Sequence, residues 1–600
     1  MPGPSTPWAR FDDLCTGVAH SFPGIVRELV ATEPGEVAGV LDEVDRLTRQ
    51  GWWAFGFVAY EAAAGLDPVL AVHEPVAGLP LAWFGIAAAP QEVPVVAAAP
   101  DRRYATAPWT CAWSGERHRH GVAAVRARIA EGETYQCNLT TRLTAAVDGD
   151  LQELYADLAL GQRGAYNAFL DLGRFVVASA SPELFFEIRG DGILMRPMKG
   201  TAARGRTPAE DEAAIRRLSG SAKERAENVM IVDLVRNDLA RVAAPGSVAV
   251  PALFRAERYA TVHQLTSDVT ATLRPEAGLT DVFRVLFPCG SVTGAPKPRT
   301  MELITELEDG PRGVYCGAVG VVAPPDAPVR ARFSVAIRTV LVDRASGTAT
   351  YGTGGGITWD SDPAAEYAEL LTKARVLDAR PEEFHLIETM RHDARRGVVS
   401  LDAHLARMAA SAFYFGFSFD PGRARRLLAD RLQGAGNVRV RMLCHRDGEL
   451  AVEVGPLPAP ADRPLVLAVD DEPIDSRECW PHHKTSRREP YTSRRARHPS
   501  ADEVVLVNER GEVTEATSAC IAVRLDGRWW TPPLGDGCLP GIERGRLVSD
   551  GVLAERVLRP ADLRRADGLA LVNSLRGWRP AVLASTPLAD APEPAEVAGP

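Results

Sequence analysis

Six hundred residues exceed what one hydrophobic core usually organises, so several lobes are expected. With 46% hydrophobic and 24% charged residues and a net charge of −10, the composition is that of an ordinary soluble chain and lacks the basic footprint of a nucleic-acid binder. No apolar run is long enough to span a bilayer, the first residues lack a secretory profile, and the nine cysteines form no C-x-x-C pair, so a cytoplasmic protein with free thiols is expected.

Of 68 basic side chains only five are lysines: Lys199, Lys223, Lys297, Lys373 and Lys484. Arginine solvates a surface as well as lysine does but does not readily lose its proton to become a nucleophile. Lysines that survive such depletion are therefore candidates for amine chemistry. For Lys223, Lys297 and Lys373 an ion-pairing role is expected; Lys199 and Lys484 stand in motifs described below.

In chain order, residues 175–179 read as a strand, and Gly190-Asp191-Gly192 reads as a hairpin turn between apolar runs. Residues 221–242 are helical and carry Glu224 and Glu227, three apart and so on one face. A strand is expected at 333–337. A second helix, from Pro363 to Leu377, repeats the acidic spacing with Glu366 and Glu369, and Pro363 suits its first position. Two such faces could converge on Mg²⁺, a hard cation that keeps waters and shares a substrate carboxylate, although acidic pairs of this kind are more often solvated faces. The pattern breaks at Ala379-Arg380-Pro381, and a new strand begins at Phe384. The expected division is 1–380, 381–590 and a disordered tail, 591–600.

The segments GETYQCNLTTRL (132–143), ASASPELFFE (178–187), RPMKGTAARG (196–205), FPCGSVTGAPKPRTME (287–302), RGVYCGAVG (312–320), AIRTV (336–340) and GTGGGITWDSDPAAE (352–366) resemble, in this order, component I of the aminodeoxychorismate synthases. The resemblance runs over roughly the first 375 residues and implies an α+β fold, an α/β sandwich with antiparallel sheets. It implies chorismate as substrate and Lys199 as a nucleophile at C2, with Glu183 protonating the departing C4 hydroxyl. Gln136 stands where isochorismate-forming relatives carry a lysine base, and Lys199 where anthranilate synthases carry alanine. It further implies Mg²⁺ bound through Glu227 and Glu366 with Glu224 and Glu369 close by, His263 near the leaving hydroxyl, and Tyr315, Arg338 and the N–H groups of Gly354, Gly355 and Gly356 around the enolpyruvyl carboxylate. No cysteine has a glutaminase setting, so ammonia would come from a separate glutamine amidotransferase or from solution.

From about 384 the chain resembles class IV pyridoxal-phosphate enzymes, a two-lobed fold, with the aminodeoxychorismate lyase branch fitting best. The resemblance implies Lys484 as the cofactor amine and proton carrier, and Glu515 as the partner of the pyridine nitrogen. Arg407, the N–H groups of Ile542 and Glu543 at a helix start, and Ser574 would hold the phosphate. Thr389, Tyr491 and Arg576 are further candidates near the substrate. Ala516 and Cys520 depart from the family's small polar residue and asparagine. Class IV enzymes commonly dimerise, and a homodimer through this module is an assembly the resemblance allows. The expected function is 4-aminobenzoate formation from chorismate. An anthranilate-type synthase, an aminotransferase for another amino acid, and an inert second module remain as alternatives.

Overall fold

The computed structural model of the protein describes residues 6–584 except positions 100 and 261; the tail expected at 591–600 lies outside the described residues. The chain divides into two compact units, one formed by 1–204 and 214–382, the other by 205–213 and 383–600. Among the described residues no helix is long and apolar enough to cross a membrane.

The first unit is built on an eleven-stranded and a ten-stranded sheet, and every strand pair in them is antiparallel. Side chains alternate across a strand, and here both faces are apolar. In the fully buried strand Phe175–Ser181, Phe175 and Val177 join a core shared with Phe55, Phe57 and Val319 of the other sheet. Val176, Ala178 and Ala180 face the opposite way, against Leu154, Tyr155 and Leu158 of helix Leu151–Gln162. Strand Trp53–Val58 does the same in the ten-stranded sheet: Phe55 and Phe57 point into the shared core. Ala54 and Val58 pack with Val40, Leu41 and Val44 of helix Val37–Thr48. The result is a helix–sheet–sheet–helix sandwich.

The hairpin expected at Gly190 is present, with Leu184–Arg189 and Gly192–Met195 paired across Arg189↔Gly192 and Gly190 at φ 57°, a conformation that glycine adopts without steric cost. The expected helices form as Ala222–Ala240 and Pro363–Ala374. The strand expected at 333–337 runs instead from Ala331 to Val335.

One buried ion pair joins several of these elements. Arg312 and Glu308 have side chains only 2% and 1% exposed. Arg312 donates Nε to Glu308 Oε2 at 3.0 Å and Nη2 to Oε1 at 2.6 Å, and its other N–H groups reach the carbonyls of Val292 and Asn138, both at 2.8 Å. Glu308 also accepts the amide and hydroxyl of Thr140, each at 2.9 Å. A guanidinium this deep is tolerable because its donors are used.

The second unit holds a four-stranded antiparallel sheet and an eight-stranded mixed sheet. Helices Leu401–Phe415 and Pro421–Arg431 cover the first through Leu405, Met408, Ala424 and Leu428, against Leu386, Met390, Val440 and Met442. In the second, strand Leu465–Val469 pairs in parallel with both its neighbours. This is the two-lobed α+β arrangement expected.

Replacing Arg312 with methionine leaves Glu308 charged and unpaired in the core. The substitution is expected to destabilise the first unit by about 3–5 kcal/mol, read as a lowered midpoint in urea unfolding.

Candidate active sites

In the first unit, Lys199 lies on strand Met198–Ala203. Helix Ala222–Ala240 runs against it, its start capped by Ser221, whose hydroxyl accepts the Glu224 N–H at 3.3 Å. Asn228, on the same helix, is buried; it donates to the Lys199 carbonyl at 3.2 Å and accepts from Ser267 at 2.6 Å. That anchor sets Glu227 beside the lysine, with Nζ 3.3 Å from Oε2. Sequence reasoning missed Asn228, although it follows Glu227 directly.

Gln136 faces the same place. Its side chain is buried, and among the described residues neither its amide nitrogen nor its amide oxygen has a hydrogen-bond partner. A Cβ on Gly356 would lie 2.7 Å from both the Gln136 amide nitrogen and Lys199 Nζ, so glycine is what lets the two approach that strand. An unsatisfied buried amide is costly, and a polar ligand would relieve it.

Glu183 is buried, and burial pushes its carboxyl up to about 7 against the opposing pull of Ser291, the Met198 backbone and Lys199. Ser291 donates to Glu183 Oε1 at 2.7 Å and lies 3.2 Å from Cys289 Sγ. Ser291 was not singled out from the sequence, although it sits within the FPCGSVTGAPK motif.

On helix Pro363–Ala374, capped by Asp362, Glu366 accepts from Ser361 at 2.7 Å, and Glu369 pairs with Lys373 at 2.9 Å. Lys373 also donates to the Gly354 carbonyl at 2.8 Å. The ion-pairing expected of Lys373 is present, but so is a place in the site: a Cβ on Gly355 would meet Glu366 Oε2 at 3.2 Å and Lys373 Nζ at 3.7 Å. Lys297 pairs with Asp238 at 3.2 Å, and Lys223 lies 4.0 Å from Glu227. Burial and Glu227 raise Glu224; burial and Glu369 raise Glu366; Lys373 lowers Glu369. Among the described residues no three histidine, cysteine or acidic side chains converge as a preformed metal cage. The donors fit Mg²⁺ in its more usual form, one or two carboxylates with waters and a ligand oxygen.

Arg338 adopts φ 53°, a strained conformation for a side chain of its size, and donates Nη1 to the Lys373 carbonyl at 2.8 Å. The Tyr315 ring lies where a Cβ on Gly352 would be, 2.2 Å away. His263 is buried on strand Val262–Thr272, in register with Ala202. Gly354, Gly355 and Gly356 pair with Thr140, Leu139 and Asn138. Successive N–H groups of an antiparallel ladder point to opposite sides, so only alternate glycines can offer an N–H to a ligand.

In the second unit, a cavity of about 370 Å³ is lined by Lys484, Arg407, Glu515, Ile542 and Ser574 among others. Burial and Arg407 lower Lys484 to about 8. Burial raises Glu515 to about 7, while it accepts from Tyr491 at 3.1 Å and from the Leu539 N–H at 3.2 Å. Helix Ile542–Ser549 begins where expected, with Gly541 as its cap. Ile542 lines the cavity whereas Glu543, pairing with Arg546 at 2.8 Å, does not. Thr389, Tyr491, Arg576, Ala516 and Cys520 are also on the wall.

Arg407 is held from behind. It donates Nε to Glu388 Oε1 at 2.8 Å, Nη2 to Oε2 at 2.7 Å, and Nη1 to the Pro540 carbonyl at 3.0 Å, which leaves one N–H on each terminal nitrogen for a ligand. Glu388 also meets His404 Nδ1 at 2.6 Å. Burial alone would raise Glu388, but Arg407 and His404 outweigh it and hold the carboxyl at about 2. Pyridoxal phosphate fits these residues: an amine of lowered basicity, a buried carboxyl, spare guanidinium donors and a helix start share one cavity. Glu388 was overlooked beside Thr389 in the sequence.

Residues 27–379 match the chorismate binding enzymes, and residues 385–583 match amino-transferase class IV. Aminodeoxychorismate synthase from Streptomyces griseus is 47% identical over 250 residues, covering 42% of this chain and 34% of that protein. Anthranilate synthase component 1 from Streptomyces coelicolor is 41% identical over 284 residues, covering 47% of this chain and 54% of that protein. The chain thus spans between a third and about half of the length of these relatives. Among solved structures, anthranilate synthase component I from Streptococcus pneumoniae TIGR4 is 25% identical with a TM-score of 0.50, covering 63% of this chain and 92% of that one. With more than half of its length matched, the chain belongs to the chorismate binding enzyme family.

Proposed function

We propose that the chain makes 4-aminobenzoate from chorismate in two steps, amination to 4-amino-4-deoxychorismate in the first unit and elimination of pyruvate in the second. The observation that carries the first step is the grouping of the Lys199 amine with the unsatisfied Gln136 amide at Gly356. Relatives at similar identity bear the names of both aminodeoxychorismate and anthranilate synthases, and an amine at this position favours the former.

In the first step the Lys199 amine attacks C2 of chorismate, the ring double bonds shift, and the C4 hydroxyl leaves as water with the proton of Glu183. Ammonia then attacks C4, the double bonds shift back, and the lysine is released. Glu183 suits this task because burial keeps its proton in place near neutral pH. Mg²⁺ held by Glu227 and Glu366 would supply a Lewis acid for the ring carboxylate. Tyr315, Arg338 and alternate glycine N–H groups are the proposed receptors of the enolpyruvyl carboxylate, and His263 a donor near the leaving hydroxyl. Ammonia is proposed to come from a partner glutamine amidotransferase: Cys137, Cys289, Cys316 and Cys520 are pushed up to about 12 by burial, the opposite of an activated thiol.

In the second step Lys484 takes the proton from C4 of the intermediate, the enolpyruvyl group leaves C3 as pyruvate, and the ring becomes aromatic. Pyridoxal phosphate, when bound, supplies the electron sink for the carbon that loses its proton. Glu515 faces the cavity to hold a proton on the pyridine nitrogen, and Arg407, Ile542 and Ser574 are proposed to hold the phosphate. A cytoplasmic location is proposed with it.

Purified protein given chorismate, Mg²⁺, ammonium and pyridoxal phosphate is expected to form 4-aminobenzoate and pyruvate in equal amounts by chromatography. Anthranilate as the main product would overturn the proposal. Lys199→Ala should lower amination by roughly 10²-fold or more, while Lys484→Ala should leave 4-amino-4-deoxychorismate to accumulate. Because the acid form of Glu183 is the active one, the rate of amination should fall as pH rises through about 7, and Glu183→Gln should abolish that alkaline limb along with most of the rate. In Glu388→Gln, the bidentate hold on Arg407 is lost. Pyridoxal phosphate affinity, followed by the visible absorbance of the bound cofactor, is expected to weaken roughly 10-fold or more.

A further inference from the structure

Strand Val438–Cys444 separates its side chains sharply. Val440, Met442 and Cys444 are buried in the core beneath helix Leu401–Phe415. Arg439 and Arg441 alternate with them and line the cavity of Lys484. The neighbouring strand Leu386–Asp393 sets Thr389 opposite Arg441, and Thr389 is on the same wall. Arg576, also on the wall, lies in the turn after Asn573, its backbone N–H donating to that residue's side chain at 2.8 Å.

These arginines differ from most others in the chain. Arginine here is normally consumed by carboxylates, as Arg312 is by Glu308, Arg407 by Glu388 and Arg344 by Asp171. Among the described residues, no carboxylate lies within 4.0 Å of the side chain of Arg439, Arg441 or Arg576. Of the acidic groups nearby, Glu388 is committed to Arg407 and His404, and Glu515 is engaged by Tyr491 and the Leu539 N–H; Glu453, in register with Arg441 on the next strand, is exposed and stays beyond ion-pair distance of it. Arg407 and the start of helix Ile542–Ser549 suffice for one phosphate. Arg488, also on the wall, is spent on the Thr517 carbonyl and the Tyr491 ring; the guanidinium groups of Arg439, Arg441 and Arg576 remain, and three exceed what the single carboxylate of an ordinary amino acid can use, since one bidentate pair satisfies it.

We infer that Arg439, Arg441 and Arg576 are the specificity residues of this cavity and receive the two carboxylates of a dianionic amine. The inference rests on the lyase reading and deepens it: the group of arginines selects a dicarboxylate over a monocarboxylate amino acid. Arg441, which is half-buried, is the principal receptor, and the more exposed Arg439 and Arg576 close on the second carboxylate.

The full chain loaded with pyridoxal phosphate is to be given 4-amino-4-deoxychorismate directly, and kcat and KM for pyruvate release measured in Arg439→Ala, Arg441→Ala and Arg576→Ala. KM is expected to rise roughly 10- to 100-fold in Arg441→Ala and less in the other two, with kcat and the visible absorbance of the bound cofactor unchanged. Arg441→Lys should restore part of the loss. In parallel, isophthalate and benzoate are titrated against that absorbance; the dianion should act at lower concentration, and Arg441→Ala should erase the preference. Unchanged KM in all three variants, or equal action of the two probes on the unsubstituted protein, overturns the inference. A protein that shows the isophthalate preference but releases no pyruvate retains the dianion site and refutes the lyase reading.

Discussion

The pairing of Arg312 with Glu308 is the constraint on which the first unit's chemistry rests. Its hydrogen bonds end on Asn138 and Thr140 of the strand that begins with Gln136, and on Val292, one residue from the Ser291 that holds Glu183. The backbone of Arg312 and that of Gly313 donate to Glu61 at 2.6 and 2.9 Å, which fixes the approach to Tyr315. A charged pair so deep adds little net stability against an apolar substitute. What it provides is direction: three segments distant in sequence meet around one planar group whose geometry admits little variation.

The two units apply the same electrostatics to different ends. In each, a carboxyl is brought to about 7 by burial, Glu183 in one and Glu515 in the other. Glu183 has a hydroxyl partner and a lysine nearby, which suits a group that gives its proton away. Glu515 faces a cavity and is steadied by Tyr491, which suits a group that shares a proton with a ring nitrogen. The lysines diverge similarly: Lys199 is poised against Glu227, whereas Lys484 loses basicity through burial and the nearby Arg407 guanidinium. Local surroundings, rather than residue type, separate the proposed nucleophile from the proposed proton carrier.

Much of this was legible in the sequence because local pattern and motif agreed. The acidic helices, the turn at Gly190, the start at Pro363 and the isolation of Lys484 each follow from residue type and spacing. The partners that hold the reactive groups were less legible. Asn228 and Glu388 lie next to residues that were identified and Ser291 lies within a recognised motif, yet nothing in a linear pattern says that an asparagine will reach the carbonyl of a lysine 29 positions away. Lys373 was read as an ion-pairing residue, which it is, but its second bond to Gly354 arises from tertiary packing. The alternating arginines of Val438–Cys444 carry the period of a half-buried strand, and only the fold shows that their polar face looks into a cavity rather than out to water.

Arg338 has a different kind of consequence. Its backbone at φ 53° holds about 1–3 kcal/mol of strain, which a glycine would release. A stabilising substitution is therefore available where the proposed carboxylate receptor stands, and selection for heat resistance alone would drive the chain toward it. Sequences that keep arginine at this position do so against their own thermal interest, so its persistence in an evolving population would report selection on the enzyme's work rather than on its folding.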